Sequence, residues 1–98
     1  MRDHRTSWQF YEATLEEIAG ERAHALGRAA RRVEETVAAY RAVTAAGGDP
    51  DQVESALREA RDAAWALVVQ RECAGFRSRD LGWLKEHWQV PDEVLRRI

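Results

Sequence analysis

Gly47-Gly48-Asp49-Pro50-Asp51-Gln52 is the stretch whose reading decides the fold. Two adjacent glycines end the helix before them, because Gly enters the left-handed conformation of a helix C-terminus without steric cost. Asp49 then reads as an N-cap, and Pro50 takes the first helical position, where its missing N–H is harmless. Gln52 stands three residues after the cap, where it completes a capping box. A stop and a start so close together predict an antiparallel helical hairpin.

Upstream of the turn, the pattern predicts a helix over about 7–46, with Ser7 as its N-cap. Tyr11, Leu15, Ile18, Arg22, Leu26, Ala29, Val33, Val37 and Tyr40 follow one another at steps of 4, 3, 4, 4, 3, 4, 4 and 3. This is an 11-residue repeat, about 3.67 residues per turn, so the helix should run nearly straight or supercoil slightly right-handed. Gly20 and Gly27 interrupt it at a cost of roughly 1 kcal/mol each relative to Ala. Downstream, a second helix over about 50–74 carries Val53, Leu57, Ala60, Ala64, Leu67 and Arg71 as its stripe, and Gly75 ends it. Trp65, Val68, Val69 and Phe76 widen that stripe until the later part is apolar nearly all round, which predicts burial on more than one side. A short helical tail over about 79–97 completes the chain. Ser78 or Asp80 could cap a helix carrying Leu81, Leu84 and Trp88, and Pro91 opens a last turn through Val94, Leu95 and Ile98.

Composition agrees with one all-α domain over 1–98. Seventeen of the 98 residues are Ala, nearly as many as Leu, Ile, Val and Phe together, and only two are Pro. Ala loses no side-chain entropy in a helix but buries little area, so the core should be thin. The balance of 15 basic and 17 acidic residues gives a net charge of −2, which offers no global field toward nucleic acid or anionic lipid. The lone Cys73 excludes a disulfide scaffold and fits a reducing compartment. The N-terminus leads into no apolar signal segment, and the longest apolar run, Ala63 to Val69, is far short of the roughly 20 residues a membrane span needs. The expected location is the cytoplasm.

Helix lengths bear on assembly. At 1.5 Å per residue the two long helices measure about 58 and 37 Å, whereas a compact chain of this size has a radius of gyration of about 13 Å. Pairing across the turn leaves residues 8 to 21 without a partner from the second helix. The expected solution is a tail folded over the open end and a homodimer that closes into a four-helix bundle.

Several residues are candidates for chemistry. Glu21 and His24 form Glu-x-x-His, a ligand pair of carboxylate-bridged di-iron bundles, but they point away from the stripe, and a solvated face is the plainer reading. Arg22 and Arg71 fall at the centres of their stripes and toward the same end of the hairpin. Each then needs a carboxylate or a carbonyl, with Glu72, Glu17 and Asp80 as candidates, and the readings are a buried ion-pair network that fixes register, an Arg whose stem packs while its head snorkels to water, or an anion cleft lined by both guanidiniums. Ala19, Ala23, Gly27 and Ala30 make a line of small residues that could seat a partner helix. Trp8, Trp65, Trp83 and Trp88 read as core or interface anchors that compensate for the thin core. No nucleophile–base–orienter set and no phosphate loop is apparent, so neither an enzyme nor a cofactor is expected. Residues 84–98 have the outline of a helix-turn-helix, weakened by Gln89 where Gly is usual, by acidic Asp92 and Glu93 opening the would-be recognition helix, and by the short run to Ile98.

Three stretches together, Ala25-Leu26-Gly27-Arg28 with Arg31-Arg32-Val33-Glu34, Ala64 to Glu72, and Val90-Pro91-Asp92-Glu93-Val94, resemble a family of short bacterial proteins of roughly 100 residues classed as a domain of unknown function. The resemblance implies an all-helical fold and carries no activity. The functional expectation is therefore a small interaction or scaffold protein, homodimeric and open to an unidentified protein partner. A DNA-binding regulator and an anion- or metal-binding bundle are the alternatives.

Overall fold

A computed structural model describes the backbone of residues 4–76 and 80–98, and side chains from residue 17 onward except residue 18. The elements are α1 (His4–Ala45), α2 (Pro50–Cys73), α3 (Gly82–Trp88) and α4 (Asp92–Leu95). Among the described residues, no helix is long and apolar enough to cross a membrane. α1 is already helical at His4, so Ser7 lies inside the helix rather than capping it.

The hairpin turn forms as its residues dictate. The Gly48 N–H donates to the Val43 carbonyl at 2.9 Å and the Gly47 N–H to the Thr44 carbonyl at 3.2 Å, the paired bonds of a Schellman motif with Gly47 at φ +69°. A Cβ on Gly48 would stand 2.7 Å from Val43 Cγ1 and 3.1 Å from the Val43 carbonyl oxygen, so the second glycine is needed for space. The capping box closes on the other side: the Gln52 N–H donates to Asp49 Oδ1 at 2.9 Å, and the Asp49 N–H to Gln52 Oε1 at 3.2 Å. α2 ends in a second Schellman motif, with Gly75 at φ +93° and the Phe76 N–H donating to the Arg71 carbonyl at 2.9 Å.

The core sits in the turn half of the hairpin. Val33, Val37 and Tyr40 of α1 meet Leu57, Ala60, Ala63, Ala64, Leu67 and Val68 of α2, and Leu84, Val90 and Val94 of the tail complete the cluster. Leu26 and Ala29, in the same α1 register, are half-buried. Arg22, next in that series, is exposed, and the side chains of Tyr11, Leu15 and Ile18 lie outside the described residues. Alanines at 60, 63 and 64 let the helices approach closely, while the bulk comes from Leu and Val. Thr36 is buried beside the stripe because its hydroxyl donates to the Arg32 carbonyl at 2.8 Å, leaving no polar atom unpaired.

The tail departs from expectation in its direction. Instead of folding over the open end, it returns along the hairpin toward the turn. Arg41 donates to the Gln89 carbonyl, the Tyr40 hydroxyl to Glu93 at 3.3 Å, and Arg61 to the Arg97 carbonyl at 3.0 Å. Arg97 grips Glu54 with both terminal nitrogens. Apolar burial explains the route: the two helices leave a small-residue groove beside Val37, Ala60 and Val68 that Leu84, Val90 and Val94 fill, all three at most 1% exposed. The open end consequently receives nothing from the tail's last two helices. The molecule spans 72 × 24 × 18 Å with a radius of gyration of 18.8 Å.

Candidate functional site

The most chemically distinctive arrangement is built where α2 ends. Arg71 lies in the last turn of α2, and the Schellman motif places Phe76 against it at the position where such motifs usually make an apolar contact. The Arg71 guanidinium carbon is 4.1 Å from the centroid of the Trp83 ring and 5.4 Å from that of Phe76. Its Nε is buried with no hydrogen-bond partner among the described residues, and so is Trp83 Nε1. Val68, Leu81 and Glu72 close the remaining sides of a crevice with no room for a water-sized guest.

This corrects the paired-arginine expectation. Arg22 is exposed on α1 and joins no buried network, and Glu72 is exposed and forms no ion pair with Arg71. Aromatic faces take the place of the expected carboxylate: a guanidinium is weakly hydrated and planar, so it can lose water on its faces at modest cost. With no interior space beside the guanidinium, Arg71 serves as the packed link between α2 and α3, and the crevice holds no anion cleft.

Glu21 and His24 stand on the surface of α1, and no cluster of metal-ligating side chains occurs among the described residues. Of the small-residue line, Ala19, Ala23 and Gly27 are exposed and Ala30 is half-buried. A Cβ added to Gly27 would meet nothing within 4 Å. The tryptophans divide. Trp83 and Trp88 pack half-buried against the core, Trp65 is 47% exposed on α2, and the side chain of Trp8 lies outside the described residues. The expectation that the later part of α2 is buried on more than one side holds for the faces toward α1 and the tail. It fails for the face of Trp65 and Val69, which stand in solvent, as Phe76 does just past the helix end. Their spacing from the core stripe was visible in the sequence; that none of the described residues covers them was not.

The tail has the connectivity of a helix-turn-helix. Leu81, not Asp80, stands at the N-cap of α3, and no side chain caps the helix; Asp80, one residue earlier, accepts the Gly82 N–H at 2.9 Å, and Ser78, the other proposed cap, lies outside the described residues. Gln89 takes the left-handed conformation at φ 53°, doing the work of a glycine. α4 is a single turn whose Val94 is buried, while Asp92 pairs with Lys85 at 3.1 Å and Glu93 receives the Tyr40 hydroxyl. The Arg97 guanidinium beside Glu54 holds that carboxylate below its ordinary range, and Arg97 itself is shifted upward by the same hydrogen bond. Over the hairpin turn, a wide groove of about 630 Å³ has Ala39, Val43, Ala46 and Ala56 among its apolar lining and Asp49, Asp51 and Glu59 among its acidic lining.

Searches of curated proteins and of solved structures match nothing to this chain. The model of a family of unknown function matches residues 9–98, nearly the whole length.

Proposed function

The chain belongs to that family, DUF6665, and from this premise we propose that it is a non-catalytic, homodimeric scaffold that works in the cytoplasm through protein–protein contact. The observation that carries the reading is surface in excess of what one chain needs. The accessible surface is 7582 Å², whereas a compact monomer of 11.2 kDa exposes about 5,700 Å². The excess is on the order of 1,900 Å². Its source is α1. Glu21, Arg22, Ala23 and His24 are all exposed, and four consecutive helical residues sample every side of the helix, so none of the described elements lies against that turn. Most helical stability in proteins comes from tertiary packing, and a second chain would supply the packing this turn lacks. Cys73 is exposed and unpaired, which agrees with a reducing compartment.

Size-exclusion chromatography with light scattering tests the reading. The expected mass at micromolar concentration is twice the chain mass of 11.2 kDa. A particle of the single-chain mass at that concentration overturns it.

A further inference from the structure

Resting on the protein-contact part of that reading and not on its dimer, we infer that the groove over the hairpin turn is a docking site for a cationic amphipathic helix of another protein. Two antiparallel helices leave a groove on each flank of the stripe along which they meet. In α2 the stripe is Leu57, Ala60, Ala64 and Leu67. Glu54 and Arg61, both hydrogen-bonded to Arg97 of the tail, stand on one flank of it. At about 100° per residue, Gln52, Ala56 and Glu59 stand on the other flank. In α1, Arg41 bonds to the tail, whereas Ala39 and Val43 line the groove. The tail therefore fills one groove of the hairpin, and the groove on the opposite flank, of about 630 Å³, stays open among the described residues.

Charge and shape select the occupant. The floor is Ala39, Val43, Ala46 and Ala56, small side chains that let a helix come close and receive its bulkier aliphatic residues. The rim is Asp49, Asp51 and Glu59; among the described residues no cation lines the groove, and neither Asp51 nor Glu59 has an ion-pair partner. The chain's own tail displays the chemistry that fills the matching groove. Leu84, Val90 and Val94 pack on small residues there, and Arg97 clasps the Glu54 carboxylate. Arg or Lys on the flanks of an incoming helix meets Glu59 and Asp51 in the same way. The same carboxylates repel nucleic acid, an anionic membrane, and a second copy docked groove to groove, which sets acid against acid. From Asp49 to Glu59 the groove runs about 15 Å, the length of roughly three helical turns.

Fluorescence anisotropy at low salt tests the site, with a labelled synthetic helix of about sixteen residues bearing Leu on one face and Arg on both flanks. This helix is expected to bind the full chain, and a twin with Glu in place of Arg not to bind. A shuffled sequence of the same composition, which has no apolar face, is expected to bind roughly 10-fold more weakly. Glu59→Lys should weaken the Arg helix by roughly 10-fold, whereas Glu86→Lys, the same charge change at an exposed position in the tail, should leave it unchanged. If Glu59→Lys loses helicity by circular dichroism, Glu59→Gln replaces it, with an expected weakening of roughly 3-fold. No binding of the Arg helix, equal binding of the shuffled one, or equal effects of Glu59→Lys and Glu86→Lys each overturns the site. Light scattering on the mixture separates this outcome from the dimer reading. A dimer that ignores the helix overturns the site alone, and a monomer that binds it overturns the dimer alone. A dimer that splits as the helix binds makes the groove the interface between copies, which overturns a separate partner.

Discussion

At the scale of single residues, Arg71 shows how opposing terms of similar size settle an odd arrangement. A buried N–H without a partner costs about 1–3 kcal/mol, and a guanidinium over an indole ring returns about 0.5–2 kcal/mol. The side chain's charge is therefore nearly neutral for stability, and its aliphatic stem and flat head fill the gap between α2 and α3. Arg71→Met keeps the length, offers a thioether to the rings and removes the orphan N–H. It should change unfolding free energy by less than about 1 kcal/mol, whereas Trp83→Ala, which removes the ring itself, should cost about 2 kcal/mol or more. Urea titration followed by circular dichroism measures both. An Arg71→Met loss equal to that of Trp83→Ala would mean the guanidinium is held by something other than ring faces.

At the scale of elements, the caps decide where each helix starts and stops. Gly47 and Gly75 satisfy the two Schellman motifs at positive φ, but α3 ends on Gln89, whose φ of 53° places an L side chain in the left-handed region. That conformation costs roughly 1–2 kcal/mol per non-glycine residue, only part of which Gly would give back as unfolded-state entropy. Gln89→Gly should stabilise the protein by about 0.5 to 1 kcal/mol, read as a raised thermal midpoint; a lowered midpoint would show that the Gln side chain contributes contacts of its own. The Gln89 carbonyl, which accepts from Arg41, is backbone and survives the change. In α4, Asp92 and Glu93 are engaged with Lys85 and Tyr40 within the fold.

At the scale of the whole molecule, the tail is tied to the hairpin by a buried trio, Leu84, Val90 and Val94, and by a surface ion pair between Glu54 and Arg97. The Glu54 carboxyl is lowered chiefly by its hydrogen bond to Arg97, which outweighs the opposing effect of burial, with smaller help from the positive charge of Arg97 and Arg58. A carboxyl depressed in the folded state adds stability that is full above its unfolded pKa of about 4.3. That stability is lost as pH falls through the lower folded value. Tryptophan emission should therefore report loosening of the tail only below about pH 4, with high salt weakening the tie at neutral pH. Glu54→Gln should flatten the acid-side loss. An unchanged acid profile in that variant would show that the apolar trio alone holds the tail.

Much of this architecture is legible in the residues themselves. The turn at 47–52, both glycine stops, the capping box and the two short tail helices are local events, each decided by hydrogen bonds and φ preferences within a few residues. Periodicity likewise identifies Val33, Val37 and Tyr40 as core. The route of the tail, the aromatic enclosure of Arg71 and the exposure of Arg22, Trp65 and Val69 were settled only by the tertiary structure. Each depends on which apolar surfaces remain once α1 and α2 have paired, and burial is non-directional: a stripe announces that it needs cover, while the shape and size of the competing surfaces determine what provides it.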